Sequence, residues 1–208
     1  MELKGMTLVA ATGNVNKLRE IKEITEAFGV RILSKKEAGV EELDVEETGS
    51  TFEENSFIKA EAIMKATGCS AIADDSGLEV RALDGAPGVY SARFSGEDAT
   101  DESNNLKLLE LMKDIPDEER QARFVSAVTV CFSNGDVITA RGECPGRMLR
   151  EPVGNGGFGY DPLFLPDGYD ETFAQLSEEA KNGMSHRARA LAALGEKLSV
   201  YGNEIIEE

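Results

Sequence analysis

Asp74 and Asp75 stand side by side at the end of a short apolar run, Ala71-Ile72-Ala73, and are followed by Ser76 and Gly77. A hard cation such as magnesium takes oxygen ligands from one or two carboxylates and leaves the rest to substrate phosphates, so adjacent aspartates at a strand end suit it. A carboxylate beside such an ion can also orient and deprotonate a water. Glu46 and Glu47 supply a second acidic group earlier in the chain. The same Asp-Asp-Ser-Gly run also makes an ordinary solvated turn, and Asp74 can be structural even where Asp75 is catalytic.

Three other stretches carry usable chemistry. In Thr12-Gly13-Asn14-Val15-Asn16-Lys17 an apolar strand gives way to a helical pattern. Backbone N–H groups and the positive dipole end favour a phosphate at such a junction, and Lys17 adds a full charge one turn in. An ordinary capped turn, with Asn14 as the cap, fits the same residues. Gly154 to Gly159 satisfies G-x-G-x-x-G in letters. It opens no helix and Pro162 follows almost at once, so a dinucleotide-binding turn is rejected. Phe158 and Tyr160 in that loop can stack on a flat ring, or plug the core. Ser185-His186-Arg187, with Lys181 just before, gathers donors at a helix start, and Arg brings a planar fork of them. A surface helix start reads equally well. A single histidine supports neither a histidine metal site nor a Ser/His/Asp triad.

The elements that must position these residues follow from periodicity. Thr7 to Ala11 reads as a strand, with Leu18, Ile21, Ile24 and Phe28 at helical spacing after it, then Gly29 and a returning strand from Val30 to Leu33. That unit makes the class α/β. Thr51 and Glu54 form a capping-box pattern for a helix running to about Thr67, with Gly68 as its stop. Ala71 to Ala73 and Leu78 to Leu83 read as strands on either side of a turn at Asp74 to Gly77. Asp84 to Gly88 is a loop by composition. Leu106, Leu109 and Met112 predict another helix, ended by Pro116. Arg123 to Phe132, Asn134-Gly135 and Val137 to Gly142 predict an antiparallel hairpin and hence a mixed sheet. A last helix starts near Ser185 or His186 and runs through Leu191, Leu194 and Leu198.

Composition bounds the partners. At 208 residues one domain is the natural prior. A formal charge of −17, from 39 acidic against 22 basic side chains, argues against a nucleic-acid groove, which needs clustered cations. A small polyanion remains open to the chain if a few local cations and a metal receive it. Cys69, Cys131 and Cys144 have neither disulfide-framework nor zinc spacing, which fits a reducing cytosol. Met1 to Gly5 lacks signal-peptide organisation, and no apolar run reaches the ~20 residues of a membrane span. The expectation is a cytoplasmic protein with no membrane partner.

Taken in order, these segments resemble the inosine/xanthosine triphosphate pyrophosphatases, the non-canonical purine nucleoside triphosphate pyrophosphatases. The resemblance rests on Ala11-Thr12-Gly13-Asn14 with Lys17; on Glu47-Thr48-Gly49 with Thr51-Phe52-Glu53-Glu54-Asn55 and Lys59; and on Ala73-Asp74-Asp75-Ser76-Gly77-Leu78. It continues through Gly85-Ala86-Pro87-Gly88-Val89-Tyr90-Ser91-Ala92-Arg93, Gly157-Phe158-Gly159-Tyr160-Asp161-Pro162 and Glu179-Ala180-Lys181-Asn182 with Ser185-His186-Arg187. Ala180 stands where family members often carry a charge.

The resemblance implies a single domain over residues 1–208, with a long twisted mixed sheet, flanking helices in two lobes and an active cleft between them, assembled as a homodimer. It implies hydrolysis of inosine, deoxyinosine and xanthosine triphosphates to monophosphate and pyrophosphate, cleansing the nucleotide pool, with Mg2+ as cofactor. Thr12, Gly13, Asn14, Val15, Asn16, Lys17, Lys59, Lys181, His186 and Arg187 would hold the nucleotide. Ser76, Phe158, Gly159, Tyr160 and Asp161 would touch substrate as well. Glu47 and Asp75 would be the magnesium-associated carboxylates, with Asp75 the proton acceptor, and Arg93 would serve either a dimer contact or the phosphates. A nucleotide hydrolase of other base preference and a non-catalytic nucleotide sensor are the alternatives.

Overall fold

The computed structural model describes residues 5–26 and 29–204. Phe28 of the first helical pattern and Met1 to Lys4 lie outside the described residues. The elements are β1 (Thr7–Ala10), α1 (Val15–Glu26), β2 (Arg31–Leu33), α2 (Phe52–Thr67), β3 (Ala71–Val80), α3 (Asp101–Leu111), β4 (Gln121–Cys131), β5 (Val137–Met148), β6 (Phe164–Pro166), α4 (Glu178–Met184) and α5 (His186–Glu204). The strands form one sheet in the order β2-β1-β3-β4-β5-β6. β1 runs parallel to β2, with Leu8 opposite Ile32, and parallel to β3, with Val9 opposite Ala71. β6 runs antiparallel to β5. The class is therefore mixed α/β, as the periodicity predicts.

The chain divides into two compact units, one of Met1–Asp75, Ser126–Gly142 and Arg187–Glu208, the other of Ser76–Val125 and Glu143–His186. The first is centred on Leu8, Ile21, Ile72, Val128, Val130, Leu191 and Leu194, with Val9, Ala60, Ile63 and Ala73 in a second cluster. The other is centred on Leu78, Leu108, Met112, Phe124, Leu163, Phe164 and Phe173.

Local signals set most helix ends. Thr51 is extended and its hydroxyl accepts from the Glu54 N–H at 3.1 Å, while the Glu54 carboxylate reaches back to the N–H groups of Ser50 and Thr51. Gly68 closes α2 in the left-handed region at φ 67°, a conformation that favours glycine. Thr51→Ala removes the cap, so its folding free energy should drop by about 1 kcal/mol. Urea unfolding checks this, and a midpoint equal to that of the unsubstituted chain would contradict it.

One predicted break is absent. β3 runs unbroken through Asp74-Asp75-Ser76-Gly77, where the polar run predicts a turn. Asp and Ser favour turns because their side chains hydrogen-bond the nearby backbone. Here both carboxylates are buried and engaged by distant cations, which removes that option. β5 is also longer than its hairpin half, continuing past Gly142 to Met148. The three-residue β6 and the seven-residue α4 escape the periodic reading because each is too short to repeat a pattern.

Candidate active site

Alternation along a strand sends neighbouring side chains to opposite faces. Asp74 and Asp75 therefore leave β3 in opposite directions and meet different partners. Asp75 Oδ1 lies 2.7 Å from the Lys59 ammonium, which also sits 2.7 Å from Glu47 Oε1 and 3.0 Å from the Asp74 carbonyl oxygen. Lys59 is on α2, and Glu47 comes from the irregular segment that precedes that helix. Asn55, one turn before Lys59, donates from Nδ2 to Asp75 Oδ2 at 3.4 Å.

Two carboxylates thus share one ammonium, and the electrostatics divide unevenly. Burial raises the Asp75 pKa above the ordinary carboxylate value; Lys59 and Lys17 only partly offset this, and the nearby Glu47 charge reinforces it. Burial works to discharge Lys59, but the Asp75 and Glu47 charges outweigh it and its pKa is raised. The lysine has more opposite charge than it needs, and Asp75 has less.

On the other face, Asp74 Oδ2 is 3.1 Å from Lys17 Nζ and 3.1 Å from Arg187 Nη2, and Oδ1 accepts the Ser126 hydroxyl. Arg187 Nη1 pairs with Glu20 of α1. Burial would push the Asp74 pKa up, but the Arg187 and Lys17 charges, with the Ser126 and Arg187 hydrogen bonds, hold it well below the usual range. Arg187 is 1% exposed. It is neither a surface helix start nor a side chain reaching outward: its fork is set between two carboxylates in the core. Glu20 goes unnoticed by motif, yet it carries a signal, because a charge on the same helical stripe as Lys17, Ile21 and Ile24 must find a buried partner.

At the β1–α1 junction Asn14 caps the helix. Asn14 Oδ1 accepts from the N–H groups of Asn16 and Lys17 at 3.0 and 3.1 Å, and the Asn14 N–H donates to Thr12 Oγ1 at 3.1 Å. Two of the helix-start N–H groups are thus engaged by the cap. Val15 is exposed beside them, and Gly13 has open space where a side chain would project.

The second unit holds the remaining candidates. Lys181 Nζ is 2.7 Å from Asp161 Oδ2, and the same oxygen accepts the Phe158 N–H at 2.9 Å. The ammonium also lies 4.7 Å from the centroid of Phe158 and 5.5 Å from that of Phe173, within cation–π range. Gly157 at φ 70° is required where it stands, since a Cβ there would collide with the Asp161 carboxylate. Gly159 donates to Asp101 and accepts from Asn105, so the start of α3 fixes the loop. Tyr160 is a core residue, 4% exposed, with its hydroxyl donating to the Ser91 carbonyl at 2.8 Å. Of the two loop aromatics, Phe158 alone keeps a partly open ring. His186 is buried, its ring stacked on Phe124 at 4.8 Å and 15°. Ser76 lies on β3, half-buried, and Arg93 lies over the Tyr90 ring at 5.2 Å.

A family model described as the Ham1 family matches residues 8–197. The chain belongs to the Ham1 family. Similar proteins include a dITP/XTP pyrophosphatase of Shigella flexneri, 49% identical over 189 residues that cover 90% of this chain and 95% of that one. Another, from Geobacter sulfurreducens, is 50% identical over 197 residues, covering 95% and 98%. The solved structure of the Staphylococcus aureus Ham1 protein matches with a TM-score of 0.83 at 40% identity, covering 94% of this chain and 99% of that chain.

In this Ham1-family chain the donor set can be tested against a divalent cation. Among the described residues, no three His, Cys, Asp or Glu side chains gather around one point. Glu47 and Asp75 converge on one ammonium, each 2.7 Å from Lys59 Nζ. Magnesium is bound through one or two carboxylates, with waters and substrate phosphates completing its shell, so a two-carboxylate set fits it.

Proposed function

We propose that the chain hydrolyses non-canonical purine nucleoside triphosphates, inosine, deoxyinosine and xanthosine triphosphates among them, to the nucleoside monophosphate and pyrophosphate. The observation that carries this reading is the Glu47–Lys59–Asp75 group, a half-buried lysine holding two carboxylates together, in a chain of the Ham1 family. A triphosphate needs cations to receive it and a base to activate water, and this group has both.

Mg2+ held through Glu47 and Asp75 would supply charge stabilisation along the phosphate chain. Asp75 is the proton acceptor for the attacking water, held in place by Lys59 on one oxygen and Asn55 on the other. Attack at the α-phosphorus breaks the bond to the bridging oxygen and sends the electron pair to the leaving pyrophosphate. Lys59 and Lys17, both local cations, offset charge as it develops there. Thr12 to Lys17 hold the phosphates, with Asn14 shaping the turn.

Base recognition falls to Phe158, whose ring can stack on a purine, and to Lys181 and His186 as donors toward a 6-oxo group. Such a group accepts where the 6-amino group of adenine donates, and a site built of donors rejects the analogue that leaves them unpaired. Arg187, committed to Glu20 and Asp74, serves this reading by holding the start of α5 rather than by touching the base. The same reading takes the protein to be a cytoplasmic homodimer.

The test is pyrophosphate release from inosine, xanthosine, adenosine and guanosine triphosphates with and without magnesium. Magnesium-dependent pyrophosphate from the first two, at least roughly tenfold faster than from the others, is the expected result. Orthophosphate as product, or equal rates on all four, would refute it.

A further inference from the structure

Asn55 is fully buried on α2, one turn before Lys59, so the two side chains share a helix face. Its Oδ1 accepts the Gly49 N–H at 2.8 Å, and its Nδ2 donates to Asp75 Oδ2 at 3.4 Å. Chemistry fixes the orientation of this amide. The backbone N–H can only donate and the carboxylate can only accept, so oxygen must face Gly49 and nitrogen must face Asp75.

The result is a pair of parallel rungs. Lys59 ties Glu47 to Asp75 Oδ1, and Asn55 ties Gly49, two residues beyond Glu47, to Asp75 Oδ2. Gly49 provides an independent sign of how closely the segment is drawn in. A Cβ at that position would lie 2.6 Å from Glu54 Cβ and 2.7 Å from Asn55 Oδ1, distances real side chains do not adopt. The segment bearing Glu47 has no regular structure of its own, and beyond the Ser50 and Thr51 contacts to the Glu54 carboxylate at the head of α2, the Asn55 rung ties it directly to Asp75.

We infer that Asn55 is a positioning residue, which sets the separation of the Glu47 and Asp75 carboxylates by tying the Glu47 segment and β3 to one face of α2. The inference rests on the functional reading above for its effect on turnover, but the rung itself can be observed without it.

The test combines amide hydrogen exchange at Gly49 with kinetics on inosine triphosphate and magnesium. Asn55→Ala should speed Gly49 exchange by roughly tenfold or more. It should also cut kcat by roughly 10- to 100-fold with KM little changed, as loss of a residue supporting a metal-associated carboxylate does. Asn55→Asp keeps the acceptor for Gly49 but turns a like charge on Asp75, so Gly49 should stay protected while kcat still falls. A merely structural asparagine would lower stability in both variants without separating exchange from turnover. Should Asn55→Ala fail to fold, Gly49→Ala, outside the core, should lower kcat similarly and raise the magnesium concentration needed for half-maximal rate. Unchanged Gly49 exchange in Asn55→Ala, or kcat within about twofold of the unsubstituted chain in either Asn55 variant, would overturn the inference. If the unsubstituted chain releases no pyrophosphate, the functional reading falls, while the exchange rates still decide whether the rung exists.

Discussion

Asp75→Asn should lower kcat by ~10² to 10⁴ and leave KM within a few-fold, because the amide cannot take the proton from the attacking water while the contacts that hold the nucleotide remain. Stability gives the second half of the prediction. The folded-state pKa of Asp75 is raised, so the native chain holds this proton more tightly than the unfolded chain does. Its contribution is favourable below the unfolded pKa and is lost as pH rises through the folded value. At neutral pH the cost of burying the ionised carboxylate is set against its pairing with Lys59, so the asparagine variant should unfold at a denaturant concentration close to that of the unsubstituted chain. Turnover and urea unfolding measured on one preparation decide both halves. Near-normal kcat would move the base elsewhere, and a large loss of stability would show that Asp75 holds the fold together.

Arg187→Met should be the most destabilising single change at the site, with a loss of ~3–5 kcal/mol, since it leaves Asp74 and Glu20 buried without their shared cation. The pH dependence has a definite sign. Asp74 has a depressed pKa in the folded state, so its stabilisation is present above the ordinary aspartate value near ~3.9 and is lost as pH falls toward the folded one. Removing the guanidinium takes away the largest of the charges that depress it, so stability should depend less steeply on pH across the acid range. Equilibrium unfolding in denaturant at neutral pH and at several acid values measures both. A loss under about 1 kcal/mol at neutral pH would mean that Lys17 and Ser126 suffice for Asp74.

What could be read from the sequence was what depends on near neighbours. Thr51 and Glu54 are three apart, Gly68 ends its helix through its own backbone freedom, and Asn134-Gly135 turns one strand into the next. The acidic and lysine residues of the site were visible by type and by family resemblance. Their division of labour was not. Whether Asp74 or Asp75 meets Lys59 depends on which face of β3 each occupies, and the polar run reads as a turn, which has no faces. Arg187 and Glu20 are brought together from opposite ends of the chain, a pairing no local pattern announces. Tyr160 and Phe158 are two residues apart in one loop, and only packing separates the core hydroxyl from the half-open ring.

The opposed directions of Asp74 and Asp75 make this segment sensitive to length as much as to composition. A substitution at either position alters one carboxylate. A single residue gained or lost earlier in β3 would turn everything after it to the opposite face, sending the Asp74 carboxylate toward Lys59 and the Asp75 carboxylate toward Arg187. An insertion within this strand would thus exchange the partners of both carboxylates at once, whereas one in a flanking loop would leave them in place.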